Sequence, residues 1–108
     1  MGQEFAHESL VAYNIAVEIS RWAARQVLPA QRKHLRDQLV RAADSIVLNL
    51  AEGSGHGPGD ARRHHYRIAL GSTAEVAAIV DITDFSDAND RRAQLRRLGA
   101  LLSGLTRR

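Results

Sequence analysis

Apolar residues recur at spacings of three and four along almost the whole chain, and no stretch shows strand-like alternation. This spacing is the period of an α-helix that packs one face against a core. Pro29 and Pro58 are the only prolines, so long uninterrupted helices fit between them. The pattern predicts an all-α protein.

The pattern divides into four predicted helices, with approximate bounds 9–28, 30–52, 60–86 and 90–106. Pro29 ends the first helix, because its ring removes a backbone donor and disfavours a helical conformation in the residue before it. We expect Gly53 as the C-terminal cap of the second helix and Asp60 as the N-cap of the third. Four helices with short connections predict an antiparallel up-down-up-down four-helix bundle, in a single domain over residues 1–108.

The first predicted helix carries two apolar stripes, which is more than one core-facing arc requires. One stripe contains Leu10, Tyr13, Val17, Ala24 and Val27, and the other contains Val11, Ile15, Ile19 and Trp22. Because a four-helix protomer buries one arc per helix, the surplus apolar surface predicts a subunit interface. A first helix that is deeply buried in a monomer is the alternative.

A glycine-rich stretch, 53–59, separates the second and third predicted helices and has the only loop-forming composition in the chain. It predicts an antiparallel hairpin between these two helices. In this hairpin we expect Glu52 to pair with Ala61, and Ser45 with Ile68.

Two residues of the third helix indicate how this hairpin packs. Glu75 falls in an otherwise apolar stripe, and a buried carboxylate needs a partner, so we expect Gln38 and Arg41 to lie within its reach. Gly71 predicts a close backbone crossing opposite Ala42, because a glycine inside a helix costs about 1 kcal/mol relative to alanine.

The hairpin also carries two separated motifs. On the second helix, Gln38-Leu39-Val40-Arg41-Ala42-Ala43 is followed by Ser45, Asn49 and Leu50-Ala51-Glu52-Gly53; on the third, Arg67-Ile68-Ala69-Leu70-Gly71-Ser72 is followed by Glu75. With these motifs the chain resembles the bacterial four helix bundle family. That family includes the proteins encoded in intervening sequences of 23S rRNA genes and the accessory variability determinant of diversity-generating retroelements. We interpret the following motif residues as structural: Gln38, Arg41, Ser45, Asn49, Glu52, Gly53, Gly71, Ser72 and Glu75.

The resemblance implies a four-helix protomer in a ring-like homopentamer with a basic surface. From the retroelement branch, it also implies binding of nucleic acid, RNA or DNA, and of a reverse transcriptase, without enzymatic activity. The start of the third helix departs from the family pattern: relatives carry a capping Ser and a Glu-Phe pair, whereas this chain has Asp60-Ala61-Arg62-Arg63-His64-His65. Either the local packing is rebuilt, or this end faces solvent or phosphate.

The charge balance permits a nucleic-acid partner. The chain has 15 Lys+Arg against 12 Asp+Glu, a formal net charge of +3, and no acidic residue follows Asp90. One group of arginines is interleaved with His64, His65 and Tyr66, which suits phosphate contacts and base stacking, and a second group lies on one flank of the fourth helix. The candidate nucleic-acid-binding residues are Arg62, Arg63, Arg67, Arg91, Arg92, Arg96 and Arg97. The alternative is a structural or protein-interaction scaffold whose arginines only solubilise it.

Several classes of site are disfavoured by the residues present. There are no cysteines, which excludes disulfides, cysteine zinc sites and a cysteine nucleophile. The glycine-rich stretch lacks the Gly-Lys-Ser/Thr ending of a P-loop and follows a helix instead of a strand. A di-iron bundle needs paired Glu-x-x-His motifs, but only Glu4 and His7 have this spacing, and we interpret His56, His64 and His65 as solvent histidines.

No targeting or membrane segment is predicted either. The longest apolar runs fall well short of the roughly 18 residues of a membrane span, and the first residues do not have the order of a signal peptide. We therefore expect a non-enzymatic, cytoplasmic protein without catalytic residues, metal or cofactor, and without a membrane partner.

Overall fold

The computed structural model describes residues 6–107, and within this range the chain forms four α-helices and no strand. The helices are α1 (Val11–Ala24), α2 (Lys33–Gly55), α3 (Asp60–Ile82) and α4 (Ala88–Thr106). Short 3-10 turns, Ala6–Ser9 and Ala30–Arg32, precede α1 and α2. The predicted all-α class is confirmed. None of the described helices combines the length and apolar character needed to cross a membrane.

Each helix packs against the next one in the chain, and α1 also packs against α4. Near one end of the bundle, Arg36 at the start of α2 donates to the carbonyl of Ala24 at the end of α1 (3.3 Å). At the same end, Arg32 donates to the carbonyl of Ile82 at the end of α3 (2.7 Å). Neighbouring helices are therefore antiparallel. Because α1 contacts α2 and α4, the four helices form a closed square in which the α1–α2 side is opposite the α3–α4 side.

The core is aliphatic and draws on all four helices, because each contributes one apolar stripe. Its largest fully buried side chains are Ile19, Leu39, Ile46, Leu50, Val76, Val80, Leu98 and Leu102. On α1, Ile15, Ile19 and Trp22 lie in this core. These three residues therefore serve the core of their own chain, whereas Val11, on the same stripe, is 50% exposed and Val27, on the other stripe, is 91% exposed. The subunit interface stays a prediction.

The helix ends differ from the predicted ones where polar groups compete for the backbone. α1 stops at Ala24, four residues earlier than expected, because its last carbonyls accept side-chain donors such as Gln26, which bonds the carbonyl of Trp22 (2.9 Å). α2 continues through Gly53 to Gly55, so Gly53 is not the cap. Asp60 is the first residue of α3 instead of its N-cap, since Gly59 takes that position with φ 145°.

Gly53 marks the close approach of α2 and α3. A Cβ at this position would lie 2.8 Å from Cε1 of Tyr66, whose ring is buried and whose hydroxyl lies 2.9 Å from Oγ of Ser54. At Gly71, by contrast, an added Cβ meets no atom within 4 Å. The predicted crossing of Gly71 with Ala42 is therefore wrong. The close contact lies at Gly53, next to the turn between α2 and α3.

The hairpin register differs by about one helical turn from the predicted one. Ser45 faces Ser72, with 2.9 Å between the two Oγ atoms, and not Ile68. The physical reason is the extra length of α2: residues 53–55 join the helix, so the turn moves toward the C-terminus and Ser45 comes opposite Ser72.

Trp22 joins α1 to the connection between α3 and α4 through side-chain contacts. Its indole Nε1 donates to Oδ2 of Asp87 (2.9 Å), and the ring of Phe85 meets it edge-on at 4.9 Å. Nε of Arg91 lies 3.6 Å from the same Asp87 oxygen, while its guanidinium lies 5.8 Å from the centre of the Trp22 ring. The Asp87 carboxylate thus contacts both the buried indole of Trp22 and the guanidinium of Arg91.

Gly53→Ala is expected to lower the free energy of unfolding by about 1–3 kcal/mol, because the methyl group overlaps the Tyr66 ring. Gly104→Ala is the matched control: it lies in α4 with open space around it, so it should raise stability by up to about 1 kcal/mol. Urea unfolding of both variants measures the difference, and equal effects would contradict a packing role for Gly53.

Asp87→Ala is expected to destabilise the fold by about 1–3 kcal/mol, since the indole loses a charged acceptor. Because Trp22 is the only tryptophan, its fluorescence should also move to longer wavelength as water reaches the ring. Asp84→Ala, at an exposed position in the same connection, serves as the control and should change neither quantity. Unchanged fluorescence in Asp87→Ala would show that the bond does not hold the indole.

Candidate nucleic-acid interface

A chain of hydrogen bonds runs along the outer side of the α2–α3 hairpin. The amide of Asn49 donates to the carbonyl of Ser45 (2.9 Å) and to its Oγ (3.1 Å), while Oδ1 of Asn49 lies 3.0 Å from Nδ1 of His65. Oγ of Ser72 donates to Oγ of Ser45. This polar seam joins the two helices through side chains that are half-buried. It gives the motif residues Ser45, Asn49 and Ser72 a structural role.

Glu75 lies at the solvent edge of this hairpin. Nη2 of Arg41 is 3.9 Å from Oε2 of Glu75, which confirms that these two side chains are close. The side chains are 73% and 46% exposed, so the expectation of a buried carboxylate is wrong. The reason is that only part of the stripe containing Glu75 is buried: Ile79 lies in the core, whereas Ile82 is 59% exposed. Gln38 is exposed as well and makes no hydrogen bond or ion pair within residues 6–107.

Three imidazole rings cluster at the end of the hairpin, the region from His56 to Arg67. The rings of His56 and His65 are parallel within 10° with 5.4 Å between their centres, and the ring of His64 lies edge-on to that of His65 at 5.6 Å. In the described part of the chain, no three His, Asp or Glu side chains are grouped to hold a metal ion. Glu4, of the Glu-x-x-His pair, lies outside the described residues.

The arginines of the hairpin end sit around these rings. Arg62 donates to the carbonyl of His56 through Nε (3.1 Å) and Nη2 (2.6 Å), which holds the guanidinium against the loop. Arg63 forms an ion pair with Asp60, and Arg67 is exposed one turn further along α3. The hydrogen bond and charge of Arg63, together with the charge of Arg67, hold the pKa of Asp60 below its usual range.

The predicted arginines of α4 fall into two groups. Arg91 is held by Asp87 beside Trp22, and Arg92 donates to Oδ1 of Asp81 (2.9 Å) and to Oδ1 of Asn89 (3.1 Å). Arg96 and Arg97 are exposed, and neither has an ion pair or hydrogen bond among residues 6–107.

A groove between α3 and α4, with a volume of about 480 Å³, was not predicted. Its lining is mainly leucine, alanine and glycine from both helices, and three of the predicted arginines, Arg67, Arg92 and Arg96, lie around it. The seven arginines therefore do not form one surface. Arg62 and Arg63 lie at the hairpin end, three arginines lie at this groove, Arg91 lies beside Trp22, and Arg97 lies outside the groove.

The sequence model of the 23S rRNA-intervening sequence protein matches residues 9–102. The chain belongs to this family. The match covers most of the chain, from the turn before α1 into the last helix, and it confirms the resemblance that the two hairpin motifs indicate. No curated protein is similar enough to match.

The motif residues of the hairpin lie where α2 and α3 meet. In this member of the 23S rRNA-intervening sequence protein family, the polar seam and the close approach at Gly53 both lie between α2 and α3. The basic start of α3 is where the imidazole rings cluster. Tyr66, which anchors this helix start, is buried, whereas Ala61 and His64 face solvent.

Asn49→Ala is expected to lower the free energy of unfolding by about 1–2 kcal/mol, because Ser45 and His65 both lose a half-buried partner. Glu75→Gln should change it by less than about 0.5 kcal/mol, since an exposed ion pair at 3.9 Å contributes little. Chemical denaturation of the two variants side by side measures this contrast. A larger effect at Glu75 than at Asn49 would contradict the structural role of the seam.

Proposed function

We propose that this chain is a non-enzymatic homo-oligomer, a ring-like pentamer, that binds RNA or DNA through arginine-rich surfaces. The observation that carries the proposal is the hairpin end, where planar imidazole rings pack together beside two guanidinium groups. Within the family, we propose an accessory role to an RNA-processing or reverse-transcribing machine, with a reverse transcriptase as one partner.

The hairpin end combines the two kinds of group that recognise an unpaired nucleic-acid strand. Guanidinium groups bind phosphate oxygens, and exposed rings offer faces on which bases stack. Arg62 is held in position by the carbonyl of His56, so less conformational freedom is lost when a phosphate binds. Arg97 on α4 adds a cation without a carboxylate partner within residues 6–107.

Assembly strengthens this proposal. The net charge of one chain is only +3, and a single hairpin end presents few cations. In a ring, every copy presents its hairpin end on the same side, so one nucleic-acid molecule meets several of them at once. Linked weak contacts then act together, because each further contact forms at a high effective concentration.

A protein-interaction scaffold without nucleic-acid binding is the second candidate function. It is favoured by large apolar side chains that the chain leaves at its surface, among them Leu48 and Ile82. Such side chains mark contact with another protein surface more often than contact with phosphate.

Replacing both Arg62 and Arg63 with Gln is expected to weaken nucleic-acid binding at least about tenfold. It should also lower the slope of log affinity against log salt by about 2, since each phosphate contact releases about one counterion. Titrations of a structured RNA, a duplex DNA and an RNA-DNA hybrid at several salt concentrations measure both quantities. Arg97→Gln should lower the slope by about 1.

Arg21→Gln with Arg25→Gln is the matched control, because Arg21 on α1 and Arg25 directly after it are both exposed, away from the hairpin end. This control removes the same charge and should leave the affinity within about twofold. If wild-type protein binds all three nucleic acids only weakly and without salt dependence, the nucleic-acid function is wrong and the scaffold is supported.

A further inference from the structure

Two glycines inside helices face the groove between α3 and α4, and no described residue occupies the space before them. An added Cβ at Gly71 or at Gly99 would meet no atom of residues 6–107 within 4 Å. Glycine is unfavourable inside a helix relative to alanine, and one use of it is to admit a group that approaches closely. At Gly53 that group is Tyr66. At Gly71 and Gly99 the space is open to a group from a second molecule.

The groove has a definite chemistry. Its floor is apolar, and its volume of about 480 Å³ lies within the range of about 300–1,000 Å³ that binding pockets occupy. Arg67, Arg92 and Arg96 lie around it, and its one carboxylate, Asp81, is already bonded to Arg92. A complementary surface therefore has an apolar centre with negative charge on either side.

The chain carries such a surface on α2. Leu48 is 66% exposed, and Asp44 and Glu52 lie one turn before and one turn after it. We name these three residues the α2 ridge. Its two carboxylates are about 12 Å apart along the helix axis. Asp44 accepts a hydrogen bond from Ser20 through Oδ1, which leaves Oδ2 for a second donor.

The spacing of the arginines matches this ridge. The bond between Arg92 and Asp81 places these residues side by side on the antiparallel helices. Counting along each helix from this point, Arg96 and Arg67 lie about 15 Å apart along the groove. This distance is about 3 Å longer than the separation of the two carboxylates, and long arginine side chains can span that difference. Gly71 lies between the two arginines, at the place where Leu48 of the ridge would insert.

We infer that the α2 ridge of one copy inserts into the α3–α4 groove of a second copy. The ridge borders α1, as the bond from Ser20 to Asp44 shows, and the groove lies on the opposite side of the bundle. Contact between two different faces is head-to-tail, and such contacts close into a ring when the rotation per copy permits. The inference rests on the oligomer proposed above, for which it names the contacting surfaces.

This contact divides the seven candidate arginines by role. Arg67, Arg92 and Arg96 face the neighbouring copy, Arg91 holds Trp22 within its own chain, and Arg62, Arg63 and Arg97 lie outside the contact. The phosphate-binding residues are then Arg62, Arg63 and Arg97. The interface and the nucleic-acid surface can therefore be tested with separate substitutions.

Two variants test the contact, one on each surface. Leu48→Asp places a charge in the centre of the ridge, and Gly71→Leu fills the groove without a clash, because the space at Gly71 is open. Static light scattering over a range of concentrations should show the wild type as an oligomer and each variant as a monomer, with association at least tenfold weaker. Far-UV circular dichroism should show unchanged helix content in both variants. The Gly71→Leu chain should be no easier to unfold than the Leu48→Asp chain, which is also expected to be a monomer, since leucine favours helix.

Matched controls carry the same changes at positions outside both surfaces. Val27→Asp alters an aliphatic side chain that is 91% exposed, and Ala93→Leu enlarges an exposed position of α4 that does not line the groove. Both should keep the size of the wild type.

Mixing the two variants tests the head-to-tail geometry. The Leu48→Asp chain retains an intact groove, and the Gly71→Leu chain retains an intact ridge, so an equal mixture should form dimers that cannot grow. A mixture that stays monomeric would overturn the pairing of ridge with groove. Wild-type size in both variants would overturn the contact while leaving the oligomer intact.

Two further outcomes separate this inference from the proposed function. A wild-type protein that is monomeric at every concentration would overturn the self-association, whereas RNA titration of the same sample reports separately on nucleic-acid binding. Loss of RNA binding in Gly71→Leu, with wild-type size retained, would show that the groove takes a nucleic-acid strand and would overturn its assignment to a second copy.

Discussion

The close approach of α2 and α3 at Gly53 sets the register on which the other features of the hairpin depend. The Tyr66 ring occupies the place of a side chain at Gly53, and its hydroxyl is tied to Ser54. With this contact formed, Ser45 meets Ser72 and Asn49 meets His65 without further adjustment. The same contact brings the ring of His65 beside that of His56. Local packing at one glycine thus places both the polar seam and the cluster of rings.

Helix number, helix type and most of the core follow from periodicity, because burial of one apolar stripe per helix is a local property of the sequence. The register of the hairpin did not follow. It depends on whether 53–55 belong to the turn or to α2, and a run of small residues permits both. The expected burial of Glu75 failed for a related reason, since the stripe that contains it includes Ile82, which is exposed. An apolar stripe in the sequence indicates a buried surface, but it does not show which helix or chain covers that surface.

The candidate site was predictable in its chemistry and not in its arrangement. The sequence shows how many arginines follow Asp90, but only the fold shows that Asp81 and Asp87 lie beside two of them. Arg91 and Arg92 are therefore paired within their own chain. Gly71 was predicted to mark a close approach to α2, but an added Cβ there meets no atom of residues 6–107 within 4 Å. The prediction failed because a helical glycine does not by itself identify a group that approaches it.

In the proposed oligomer, charge couples assembly to the proposed nucleic-acid binding. Each copy has an excess of three positive charges, so bringing copies together costs electrostatic free energy unless opposite charges meet at the contact. A groove with three arginines and one paired carboxylate needs acidic residues from its occupant, and the α2 ridge supplies two. In the proposed contact, these carboxylates neutralise cations at the interface and leave Arg62 and Arg63 of the hairpin end outside it. A polyanion that bridges neighbouring hairpin ends then lowers the remaining repulsion, so each form of binding favours the other.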